Sequence, residues 1–107
     1  MEFLIHPTLE KDTIFVDRSN GLQIRLVDDF RYFWLMIIPE STATELHELD
    51  EDIAGSLWTM ALHLGGVIKT HCNAAKINTA AIGNIVPQLH VHILARHNDD
   101  APWPQTI

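Results

Sequence analysis

A chain of 107 residues and 12.1 kDa has room for one domain with a limited core, so a single domain spanning 1–107 must hold any site, and association would help cover its apolar surface. Hydrophobic residues make up 47% and charged residues 20%, ordinary values for a folded protein that exclude extended disorder away from the ends. A formal charge of −7 with seven scattered Lys and Arg excludes a nucleic-acid backbone groove, which needs clustered cations.

The opening segment MEFLIHPTLEKD has no basic start and only a short apolar patch before Pro7, so a secretory signal is not expected. No stretch approaches the ~20 apolar residues of a membrane span. Cys72 is the sole cysteine, which excludes an intrachain disulfide and a cysteine-rich metal cluster and fits a reducing compartment, so a cytoplasmic location is expected. Thr13 to Asp17 reads as a short strand. Asn20-Gly21 is a strong hairpin turn into Leu22, Ile24 and Leu26, which alternate with Gln23 and Arg25. Phe33 to Ile38 is continuously apolar and stops at Pro39, as expected of a central strand covered on both faces.

A polar linker through Ser41 and Thr44 leads to Asp50, Glu51 and Asp52, acidic residues that favour the positive end of a helix dipole. Ile53, Leu57, Met60, Leu64, Val67 and Ile68 then recur at helical spacing. Gly65-Gly66 costs that helix roughly 1 kcal/mol per glycine and marks either close packing or an irregularity. His63 and His71 read as exposed or capping residues with no chemistry. Trp34, Trp58 and Trp103 lie in different elements without common spacing and read as packing residues, with Trp34 left open. Lys76 to Gln88 reads as a small-residue strand followed by a Gly83-Asn84 turn, and DDAPWPQTI at the end as an extended segment that packs over a neighbour or another subunit. The fold expected is α+β, an antiparallel sheet of about five strands with one long helix on one face and the other face open near the last strand.

The informative stretch is QLHVHILAR, Gln88 to Arg96. A strand's two-residue period sends Gln88, His90 and His92 to one side and Leu89, Val91, Ile93 and Ala95 to the other. Imidazole changes charge near pH 7, attacks phosphorus and carbonyl centres and binds metals. The pair therefore points to phosphate chemistry, a metal or structure. An anionic ligand would have to be met by backbone amides, imidazoles and Arg96 or Lys76.

With its order of elements and this strand, the chain resembles the histidine-triad superfamily, whose signature is His-x-His-x-His followed by apolar residues; Gln88 departs from the first position. RYFW at Arg31 to Trp34, KIN at Lys76 to Asn78, IGNIVPQLHVH through His92 and DAPWP near the end look like a bacterial, diadenosine-tetraphosphate-hydrolase-like branch in which Gln at the first position is usual. Phe33 stands where that branch often has Pro. The resemblance implies His90 as nucleophile, His92 as its orienting and phosphate-polarising partner, and Gln88 as an amide donor. It also implies a phosphate-binding segment at Asn84, Ile85 and Val86, a ribose contact at Asp29, and a homodimer. Trp34 occupies a position where better-known branches place another His.

The activity so implied is hydrolysis of a nucleotide phosphoanhydride or related nucleotidyl ester, diadenosine polyphosphates included, through a nucleotidyl-histidine, with no cofactor and no protein-bound metal. The alternatives are nucleotidyl transfer or phosphorolysis, nucleotide binding with negligible turnover, and a metal module using His90, His92 and His97 or Asp99. The last lacks an identifiable third ligand of zinc-site spacing.

Overall fold

Asn20 and Gly21 adopt φ of 52° and 75° in the computed structural model, which describes residues 3–107. Both central residues of a two-residue hairpin turn need such angles, which Asn and Gly tolerate best. The turn joins β1 (Thr13–Ser19) to β2 (Leu22–Val27) with Ser19 paired to Leu22. β3 (Trp34–Pro39), α2 (Glu51–His71), β4 (Lys76–Ala80) and β5 (Val91–Arg96) follow, with a short helix α1 (Pro7–Asp12) before β1. Among the described residues the strands form one antiparallel sheet in the order β1-β2-β3-β5-β4. The expected α+β architecture is the one observed.

The sheet has two unlike faces. Leu22 and Ile24 of β2, Leu35 and Ile37 of β3, and Val91 and Ile93 of β5 pack with Leu57, Ala61 and Ile68 of α2. On the other face Met36 and Ile38 pack with Leu9 of α1, joined by Phe3, Ile5, Val27 and Val86. β3 is thus covered on both sides, as its unbroken apolar run requires. The open face expected near the last strand is narrowed by α1, a helix too short to show periodicity. Its local signals are Pro7 in the first turn, where a missing N–H costs nothing, and His6, whose Nδ1 accepts from the Thr8 N–H at 3.1 Å.

Gly65 faces Ile77 of β4 while Gly66 faces open space, so α2 continues through the pair and the first of the two options, close packing, applies at Gly65. Trp58 is half exposed on α2 and does not pack into this chain's core. The C-terminal segment departs from the extended form. Arg96 is 1% exposed, and its guanidinium donates to both oxygens of Asp100, to Asn78 and to the Gln105 carbonyl, beneath the Trp103 ring. Satisfying a buried guanidinium draws the tail into turns against its own chain. Arg96 is therefore committed to structure and does not meet a ligand's charge; exposed Lys76 bonds its neighbour's carbonyl.

Candidate active site

The β3 and β5 registers decide what lies beside the imidazoles. Trp34 pairs with Leu94 and Met36 with His92, so Trp34 and His92 are diagonal neighbours on the face away from α2, a separation that aromatic side chains bridge. Ala80 of β4 flanks His92 on the other side and leaves room above it. Strand pairing begins at Val91, so Gln88 and His90 precede the ladder. The apolar row nevertheless turns inward as expected: Leu89, Val91, Ile93 and Ala95 are all buried. His90 and His92 stand with ring centroids 5.0 Å apart, edge to face.

Their hydrogen bonds fix different tautomers. Nδ1 of His90 lies 2.7 Å from the Gln88 carbonyl. A carbonyl is an acceptor, so this nitrogen carries hydrogen and the neutral ring keeps its lone pair on Nε2. Among the described residues no protein group bonds that Nε2. Nδ1 of His92 instead accepts from the Trp34 indole N–H at 3.0 Å, which leaves Nε2 of His92 to carry its hydrogen. Burial, and next the neighbouring His90, pull the His92 pKa from 6.5 down to about 4.

Both rings line a cleft of about 430 Å³, within the size range of small-molecule sites. One wall is the loop 81–90, where Gly83 at φ 64° would press an added Cβ to 3.4 Å from the Val86 carbonyl. Asn84, Ile85 and Val86 line the cleft from this loop. α1 and its exit contribute Thr8, Leu9, Asp12 and Thr13 to the lining, and the curled tail contributes Ile107. Sequence reasoning missed Thr8, Asp12 and Ile107, because a one-and-a-half-turn helix and a folded-back tail carry no periodic signal.

Two expected site residues lie elsewhere. Asp29 sits in the β2–β3 turn and is not part of the cleft wall. It accepts three hydrogen bonds from Arg31, two from the guanidinium and one from the backbone N–H, which keep its carboxyl near pKa 2. Asp12 is the carboxylate that lines the cleft. Gln88 spends its amide on the N-terminal arm. Its Oε1 accepts from the His6 N–H at 2.7 Å and its Nε2 donates to the Leu4 carbonyl at 3.0 Å. An amide without an ionisable proton can bridge two backbone groups at once, and here it ties residues 4–6 beside the cleft.

Among the described residues no group of three or more His, Cys, Asp or Glu gathers to hold a metal, and His97 is turned away to the Cys72 carbonyl. Nor is any described helix long and apolar enough to cross a membrane.

The chain aligns over 98% of its length with a histidine triad protein from Bradyrhizobium japonicum at 36% identity and TM-score 0.94, covering 79% of that chain. A histidine triad protein from Sinorhizobium meliloti 1021 gives 35% identity and TM-score 0.94 over 98% of this chain and 78% of that one. One from Marinobacter aquaeolei VT8 gives 29% and 0.95 over 98% and 77%. No curated protein matches the chain. The HIT domain family model matches residues 10–99, and with His92 on the fifth strand and His90 at its entry this chain belongs to the HIT domain family.

Proposed function

We propose that the protein is a nucleotidyl hydrolase of the diadenosine-tetraphosphate-hydrolase-like branch, acting on nucleotide phosphoanhydrides. The observation that carries this reading is the opposite tautomers of the two adjacent rings, an unbonded lone pair on Nε2 of His90 beside an N–H on Nε2 of His92. In the first step Nε2 of His90 attacks the α-phosphorus. An N–P bond forms as the P–O bond to the leaving phosphate breaks, and that oxygen takes the electron pair. The positive charge developing on the imidazole is stabilised by the Gln88 carbonyl at Nδ1. His92 donates from Nε2 to a non-bridging phosphoryl oxygen. Water then attacks phosphorus, returns the electron pair to His90, loses a proton to solvent and releases the nucleoside monophosphate. The loop residues Asn84, Ile85 and Val86 bound the phosphate end, and Asp12 offers a carboxylate to ribose hydroxyls from α1.

The small core and the apolar surface left on α2 by Trp58 and Leu62, 53% and 75% exposed, support a homodimer as the working unit. A panel of mononucleotides and dinucleoside polyphosphates, with mass detection of both products and of the intact protein, tests the activity. The expected result is a nucleoside monophosphate product and a protein adduct of one nucleotidyl group, with both lost in His90→Ala while nucleotide binding persists. Turnover of His90→Ala within a few-fold of the parent would remove His90 from its role. Binding without products across the panel would leave a nucleotide-binding protein in place of an enzyme.

A further inference from the structure

Trp34 is not consumed by the hydrolytic scheme above, yet it touches the cleft and one of the rings. It opens β3, stands with its ring centroid 5.5 Å from that of His92, and is backed edge-on by Tyr32 at 6.4 Å. We propose that Trp34 is a positioning residue that sets the tautomer of His92, holding it as a neutral imidazole with its hydrogen on Nε2, a fixed donor toward a phosphoryl oxygen. The part of this that concerns reaction rests on the hydrolase reading; the tautomer itself does not.

The chemistry follows from donor counting. An indole N–H donates and cannot accept, so the nitrogen it meets must present a lone pair. Nδ1 of His92 meets it at 3.0 Å. A neutral imidazole then has one place left for its hydrogen, Nε2. Protonating the ring needs a second hydrogen, and the nitrogen that would take it faces the indole N–H. Two donors would oppose each other and the bond would be lost. Burial and the adjacent His90 act in the same direction. Around the ring, β3 contributes uncharged Trp34 and Met36, β4 contributes Ala80, and among the described residues the titratable side chains that line the cleft beside it are His90 and, on α1, Asp12.

A consequence for specificity comes with this. A ring kept neutral is a hydrogen-bond donor without being an acid of useful pKa, and Gln88 has no proton to give. The first and third triad positions therefore supply no proton to a departing group. Phosphate and nucleotide leaving groups, stable as anions, suit the site, and amines do not.

The test is ¹⁵N NMR of histidine-labelled protein between pH 3.5 and 8, where protonated and lone-pair ring nitrogens give distinct shifts. Wild type is compared with Trp34→Phe and with benzothienylalanine incorporated at 34, an isostere in which sulfur replaces the N–H, so that loss of packing is separated from loss of the donor. In wild type, Nδ1 of His92 is expected as a lone-pair nitrogen and Nε2 as a protonated one. Both substitutions are expected to mix the tautomers and to move the His92 titration upward by about one pH unit or more. On a substrate from the nucleotide panel, kcat should fall roughly ten- to hundredfold while KM moves little, the pattern of a misplaced transition-state contact. An unchanged His92 tautomer and titration in both variants would overturn the assignment. A wild type that turns over no nucleotide, with the tautomer shift present, overturns the hydrolase reading and supports the hold of Trp34 on His92.

Discussion

Acid should destabilise this protein through His92 in a narrow window, and the effect can be isolated by replacing that one ring. In the folded chain His92 takes a proton at about 4, against 6.5 ordinarily, with burial as the first cause and His90 as the second. Above 6.5 the ring is neutral folded and unfolded, and its titration makes no difference to stability. As pH falls below 6.5 the unfolded chain binds a proton that the folded chain refuses, so stability is lost progressively until about 4, where the folded ring also takes the proton. At pH 5 a shift of this size, at about 1.4 kcal/mol per pH unit, amounts to ~2 kcal/mol. The ring borders an open cleft, and solvent screening brings the expectation to about 1 kcal/mol. With a urea slope of roughly 1–3 kcal/mol per molar for a chain of this size, the midpoint should drop by ~0.5 M between pH 7.5 and 5. His92→Gln is the matched control, since it does not titrate and its amide oxygen offers the Trp34 N–H an acceptor. Urea melts of both proteins at pH 7.5, 6.5, 5.5 and 5 should diverge, with the parent losing stability faster. Superimposable pH dependence of the two would refute the neutral, buried state assigned to His92.

Gln88→Ala should cost about 1–3 kcal/mol by removing two hydrogen bonds to the backbone of Leu4 and His6, and should speed proteolytic cleavage within the first dozen residues; an arm as protected as the parent's would show that the amide does not tether it. Leu57→Ala should cost ~2–5 kcal/mol in denaturant melts, because Leu57 is 2% exposed where α2 meets the sheet, and a loss under 1 kcal/mol would place the helix contact elsewhere. Asp100, held near pKa 2 chiefly by Arg96, stabilises the fold above the ordinary carboxylate pKa near 4 and loses that contribution as pH falls toward 2. Asp100→Asn should therefore be less stable at neutral pH and flatter below pH 4, and an acid limb as steep as the parent's would count against the tail's attachment through Arg96.

What could be read from residue order was whatever depends on local period and turn chemistry. Asn20-Gly21 specifies its hairpin because few other pairs accept two positive φ angles, and Phe33 to Ile38 specifies a central strand because an unbroken apolar run needs cover on both faces. The spacing from Ile53 to Ile68 specifies the long helix. The alternation of Leu89, Val91, Ile93 and Ala95 against His90 and His92 likewise specifies which side of the last strand is chemical. Those facts, with the family resemblance, located the cleft and its loop of Asn84, Ile85 and Val86.

Long-range geometry decided the rest. The α1 wall with Thr8 and Asp12 comes from a segment too short for a helical period, and its attachment depends on Gln88, some eighty residues away, finding two backbone groups. Asp29 is a carboxylate in the right region of sequence, but its neighbour Arg31 claims it. The tail reads as extended from its prolines, yet a buried guanidinium at Arg96 must be satisfied and curls it inward. Above all, the protonation pattern of the two imidazoles follows from a carbonyl facing Nδ1 of His90 and an indole N–H facing Nδ1 of His92. Residue types alone name two histidines; the strand register that sets Trp34 diagonal to His92 determines which nitrogen of that ring holds a hydrogen and which holds a lone pair.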